Sequence, residues 1–169
     1  MINITKIKIT KTERIILVFI ILLGGFTLGS FLIIKNKCLF VKNYDPNDIQ
    51  FHNRENVAVL NASCGNVIIE LYPDISPNAV KRFKTLIRLG SYNDAAFHRV
   101  IENKLIQAGD LEFGKRENLD YGKVGTGKSG LGLIKSEIDS DFKYKKGSVG
   151  LARTYQRNTE DSQFFIILQ

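Results

Sequence analysis

Cysteine is scarce in this chain. Cys38 and Cys64 are the only two among 169 residues, too few for a disulfide framework. Cys64 falls in a hairpin turn, Ala62-Ser63-Cys64-Gly65-Asn66. An oxidising compartment would allow the two to pair, but two free thiols are the simpler reading. The body of the chain also lacks a strong excess of one charge. The net charge is +7, yet residues 1–14 hold four Lys/Arg and one Glu (+3), while residues 35–169 hold twenty and sixteen (+4). With no aromatic-basic platform beside it, so mild an excess reads as a solvated surface and argues against nucleic acid as a partner.

A third absence concerns Gly122 and the later Gly127-Lys128-Ser129, which formally match a phosphate loop. Such a loop needs a buried strand before it and a helix after it, so that backbone N–H groups and the helix N-terminus meet the anion. Glu117-Asn118-Leu119-Asp120-Tyr121 is no buried strand, and Gly130-Leu131-Gly132 starts no helix. The segment reads as a Gly-rich surface loop, and nucleotide hydrolysis is set aside.

What the chain does have begins with residues 15–34, a run without charge between Arg14 and Lys35. A helix of that length spans the roughly 30 Å hydrocarbon core. We read it as an uncleaved anchor, with a signal peptide as the alternative. Lys6, Lys8, Lys11 and Arg14 ahead of it slightly outnumber Lys35, Lys37 and Lys42 behind it. That balance puts residues 1–14 in the cytoplasm and the bulk of the chain outside. Residues 35–56 are polar and aperiodic, a linker. Apolar content of 44% and charged content of 24% then leave residues 57–169 as one ordinary globular domain.

Within that domain, Val57-Ala58-Val59-Leu60 and Val67-Ile68-Ile69-Glu70-Leu71 flank the turn as a β-hairpin. Ser76-Pro77 is a helix start, with Ser as the cap and Pro in the first turn. Ala79, Val80, Phe83, Leu86 and Ile87 repeat at helical spacing and should cover the open end of a sheet. Lys81, Arg82, Lys84 and Arg88 should face solvent, and Gly90 should end the helix. Residues 97–110, FHRVIENKLIQAGD, place His98 and Arg99 at the head of one β-run and Gln107 in the next. An Arg and a Gln facing one apolar hollow suit a site that grips an amide. Residues 147–153 and 163–168 are two further strands.

The motifs FHRVI, Ile106-Gln107-Ala108-Gly109-Asp110, Gly147 with Leu151-Ala152-Arg153-Thr154, and Ser162-Gln163-Phe164-Phe165-Ile166 occur in one order. In them residues 57–169 resemble the cyclophilins, peptidyl-prolyl isomerases, in the bacterial form. The resemblance implies a mainly β fold, a closed antiparallel β-barrel with a capping helix, here preceded by one transmembrane helix. Together with the apolar run and its flanking basic residues, it implies a single-pass, membrane-anchored isomerase of X–Pro bonds whose domain faces the periplasm or cell exterior. Its partners would be proline-containing polypeptides that are folding there. Arg99 matches the catalytic arginine and Gln107 its neighbouring glutamine. His98, Ile101, Leu105 and Phe165 match the groove and proline pocket, and Ala152, Arg153 and Gln163 match positions that hold the residues before proline. No metal or cofactor is called for.

Two departures accompany the likeness. Lys104 stands where the family has a phenylalanine wall. The chain stops at Gln169, where the family continues with two more strands and a helix, so the barrel is expected to be incomplete at the C-terminus. Phe164, Ile166 and Leu168 are then expected to be exposed. A catalytically weak or inactive peptide-binding holdase of the same fold is the alternative reading.

Overall fold

The computed structural model describes residues 10–35, 38, 41, 44–138 and 141–169, and these divide into two compact units. Residues 1–49 and 59–67 make the first; residues 50–58 and 68–169 make the second. The basic residues Lys6, Lys8, Lys37 and Lys42 lie outside the described residues.

In the first unit, helix α1 (Lys11–Lys35) begins at a reciprocal cap. Glu13 N–H donates to Thr10 Oγ1 (3.3 Å), and Thr10 N–H and hydroxyl donate to Glu13 Oε2 (2.7 and 2.9 Å), satisfying donors that a helix start leaves open. The large apolar side chains of α1 are 53–77% exposed. By length and composition the helix can cross a membrane, since 25 residues at 1.5 Å each make about 37 Å.

The two thiols are not free. Cys38 and Cys64 form a disulfide with Cα atoms 4.9 Å apart, correcting the simpler sequence reading. Cys64 lies in the two-residue turn of the hairpin β1 (Val57–Ala62) and β2 (Gly65–Glu70). Whether a tether brings a second cysteine to such a turn depends on its path, and an aperiodic segment gives no sign of that path.

The second unit carries α2 (Pro77–Arg88) and β3 (Arg99–Ile101), β4 (Leu105–Ala108), β5 (Val149–Leu151) and β6 (Phe164–Ile167). The four strands form one antiparallel sheet in the order β3-β4-β6-β5. Among the described residues the hairpin is a separate two-stranded sheet, so the expected closed barrel is not formed. Closure needs an unbroken ring of strand pairing, whereas β3 and β5 are three-residue edge strands.

One face of this sheet is core. Phe164, Ile166 and Ala108 are 3%, 7% and 3% exposed, so the expected exposure of Phe164 and Ile166 is also corrected. They are covered because Phe83 of α2 and Tyr92 reach them. The rings of Phe83, Tyr92 and Phe164 meet with centroids 5.1–5.5 Å apart, within the range where edge-on aromatic pairs attract. Burial pushes the Tyr92 phenol well up from its ordinary value, with the Asp161 charge adding to it, and its hydroxyl donates to Ser162 O (2.8 Å).

Helix α2 buries Val80, Phe83 and Leu86 but departs from its expected polarity. Ile87 is exposed. Arg82, expected in solvent, is largely buried in an ion pair with Asp161 and also donates to Gly132 O (2.8 Å). Lys84 Nζ donates to Asn56 Oδ1 (2.6 Å). A charged side chain next to the apolar stripe turns inward when a buried partner awaits it, and helical spacing cannot reveal that partner. Ser76 makes no side-chain cap. Instead Glu137 accepts from Asn78 N–H and Ala79 N–H (2.9 Å each). Gly90 ends the helix as expected, left-handed at φ 66°.

Candidate functional site

On the face of the sheet opposite the core, strand alternation lines up two rows. Arg99, Gln107, Phe165 and Gly150 are paired in register across all four strands, and Ile101, Leu105 and Ile167 form the row beside them. Arg99 and Gln107, which the sequence nominates to grip an amide, are therefore a directly opposed cross-strand pair, with an aromatic residue as the next member.

Polar contacts run along this row head to tail. The Arg99 guanidinium donates to Gln107 Oε1 (3.2 Å), and Gln107 Nε2 donates to Gln163 Oε1 (2.9 Å). Gln163 Nε2 then donates to both Gly125 O and Gly127 O (3.0 Å each). Each amide dipole thus points the same way, away from a cation whose side chain is exposed at the other end. Such chains polarise one another and resist reorientation.

The remaining expected residues fall in different places. Gln163 is buried, with both amide hydrogens committed to the loop. It supports Gln107 from behind. Ala152 lies beside it, donating its N–H to Gln163 O (2.7 Å). The Arg153 guanidinium donates to Thr154 O and Tyr155 O (3.0 Å each) and lies 3.7 Å from Glu160. His98 sits against the loop, where a Cβ built on Gly125 would lie 3.6 Å from its Cδ2. Its two ring nitrogens are buried and without a protein partner among the described residues. Lys104 is exposed in the β3–β4 turn, next to Asn103, which takes the left-handed conformation (φ 55°) that asparagine tolerates.

Sequence reasoning missed Tyr144, whose ring meets Phe165 at 5.3 Å. Gly150 makes room for both rings, since a Cβ there would lie 2.7 Å from the Tyr144 hydroxyl and 2.8 Å from Phe165 Cζ. It also missed Asp110 and Asp161, two buried carboxylates. Asp110 accepts from the backbone N–H of Glu112, Phe113, Gly125 and Gly127 (3.1, 2.8, 2.7 and 2.9 Å). Burial pushes its carboxyl up, but these four bonds outweigh burial and hold it below its ordinary value, because they stabilise the charged form. Asp161 accepts from Ser129 N–H and hydroxyl (2.6 and 2.5 Å). In the formal phosphate loop the backbone N–H groups of Gly125, Gly127 and Ser129 therefore meet the protein's own carboxylates, and Lys128 Nζ donates to Thr159 O (3.3 Å).

Residues 57–169 match the family model described as cyclophilin type peptidyl-prolyl cis-trans isomerase/CLD. The chain belongs to this family. A probable peptidyl-prolyl cis-trans isomerase of Brucella suis is 40% identical over 114 residues, which are 67% of this chain and 58% of that protein. A crystal structure of a Cryptosporidium parvum cyclophilin type isomerase superposes with a TM-score of 0.53 at 31% identity, covering 62% of each chain. The same Cryptosporidium protein in the presence of the dipeptide Ala-Pro gives 0.53 at 29% identity, covering 62% of this chain and 63% of that one. The chain spans about 58% of the length of the first curated relatives it matches. The cyclophilin fold is thus present, in the open form described above.

Proposed function

We propose that this chain accelerates cis-trans rotation about X–Pro bonds in proteins folding outside the cytoplasm, held to the membrane by α1. The observation that carries the reading is the cross-strand row in which Gln107 braces Arg99 on one side and is paired with Phe165 on the other. In this reading Phe165, Ile101 and Leu105 receive the prolyl ring, with His98 at the margin. Ala152 and Arg153 at the end of β5 meet the residues before proline, and Gln163 steadies Gln107. The Ala-Pro dipeptide used with the Cryptosporidium relative supports a proline-containing peptide as substrate.

The chemistry follows from the amide. Its rotation barrier of roughly 18–20 kcal/mol arises because the nitrogen lone pair is delocalised into the carbonyl. In the twisted transition state the nitrogen is pyramidal and the pair localised. A guanidinium donating to that nitrogen favours the twisted form without moving a proton, because arginine stays charged and its donors are rigid. A charge-assisted bond of about 1.5–3 kcal/mol corresponds to roughly one to two decades of rate. Removing the amide from water and binding its twisted form supply the remainder.

An extracytoplasmic location is supported by the disulfide C-terminal to α1, since disulfides persist in oxidising compartments, and by the basic residues that precede the apolar run. In detergent, the full chain is expected to speed cis-to-trans conversion of a short Xaa-Pro peptide followed by NMR exchange. Arg99→Ala should lower that rate about ten- to a hundredfold, and no acceleration by folded wild-type chain would refute the proposal. Exposed Lys104, where the family resemblance leads one to expect a pocket wall, favours the second reading, a peptide-binding holdase. Peptide binding that is indifferent to Arg99→Ala, with no rate enhancement, would select it.

A further inference from the structure

We propose that Asp110 is a positioning residue for Arg99, acting through the Gly-rich loop; the inference rests on the isomerase reading above. The same two loop residues serve both ends of the connection. Gly125 and Gly127 donate their N–H groups to Asp110 Oδ2 (2.7 and 2.9 Å), and they offer their carbonyls to Gln163 Nε2 (3.0 Å each). Gln163 in turn fixes Gln107, and Gln107 fixes the Arg99 guanidinium. A fully buried carboxylate thus sets the two acceptors on which the row of amides ends. Asp110 Oδ1 holds Glu112 and Phe113 at the start of the loop (3.1 and 2.8 Å). Both ends of the loop are therefore gathered on one side chain.

The glycines follow from this arrangement. A Cβ at residue 127 would lie 2.1 Å from Asp110 Oδ1, and Gly125 has φ +97°, a conformation that a side chain would strain. An ionised carboxylate is needed because it only accepts and has two oxygens to share among four donors. Asparagine in its place keeps one acceptor oxygen and turns an NH2 group towards donors, so two of the four N–H groups lose their partner.

The test compares wild type, Asp110→Asn, Arg99→Ala and the double variant, as full chains in detergent. Asp110→Asn is expected to lower kcat about ten- to a hundredfold, as small misplacements of a catalytic group do, while peptide affinity is unchanged. In the Arg99→Ala background the same substitution should have no further effect on rate, because the group it positions is gone. A loss of equal factor in that background means Asp110 only supports folding, and overturns the proposal. If the wild-type chain does not accelerate the peptide, the isomerase reading falls separately. NMR then still decides the positioning. Shifted Gln107 and Gln163 side-chain amide and Arg99 Nε–H signals in Asp110→Asn, with Phe164 and Ile166 signals unmoved, support it. Unmoved side-chain signals overturn it.

Discussion

Asp110 also marks the limit of legibility at the scale of single residues. Arg99 and Gln107 could be read from the sequence because a short polar turn between two β-runs brings them opposite one another. Asp110 could not, because a buried carboxylate is made tolerable by donors that lie as many as seventeen residues away. The chain spelled a phosphate loop there for the same physical reason that phosphate loops are glycine-rich: backbone N–H groups must crowd an anion. Here the anion is a side chain. Its carboxyl is held below its ordinary value by those bonds, so its stabilising contribution is fully present above the unfolded value of about 3.9. That contribution is lost as pH falls through the lower folded value, because protonation then costs more in the native state. Urea unfolding of wild type and Asp110→Asn should therefore show wild type more stable at pH 6, with the gap narrowing below about pH 4. A gap that is flat across this range would mean the folded carboxyl is not held below its unfolded value.

Among the elements, α2 illustrates what local pattern conveys and what it leaves out. Its start, its end and its buried stripe Val80, Phe83 and Leu86 followed from Pro77, Gly90 and helical spacing. Its capping group did not, because Glu137 arrives from 59 residues away and satisfies two of the first N–H groups while its charge faces the positive end of the helix. Glu137→Ala should therefore lower stability by about 1–2 kcal/mol, read as a lower urea midpoint at unchanged slope. Ser76→Ala, removing the residue that the sequence nominates as cap, should change it by no more than a few tenths of a kcal/mol, in line with ordinary surface substitutions. Equal losses from both would place the cap back on Ser76. Arg82 carries the same lesson, since its buried partner Asp161 lies 79 residues on.

At the scale of the whole molecule, the helix α1 was legible because a charge-free run needs no partner to be recognised, although it begins at Lys11, ahead of that run. The order of hairpin, helix and strands followed from the motifs. Barrel closure did not, since it depends on edges that β3 and β5 leave unpaired in the sheet. The disulfide was the other miss, and it makes the two units separable in experiment. Cys38 and Cys64 are 26 residues apart in sequence, and closing that loop in the chain-entropy view stabilises the folded form by roughly 3.5 kcal/mol. Both cysteines belong to the first unit, together with the outer part of the hairpin, residues 59–67. The sheet β3-β4-β6-β5 lies wholly in the second unit, around its own core of Phe83, Phe164 and Ile166. Reduction should therefore raise hydrogen exchange at residues 59–67 and leave the amides of β4 and β6 protected, because local opening follows the contacts each segment has. Exchange that rises together in the hairpin and in β4–β6 would show that one cooperative unit spans the chain. An unchanged hairpin would show that the bridge constrains nothing its hydrogen bonds do not already hold.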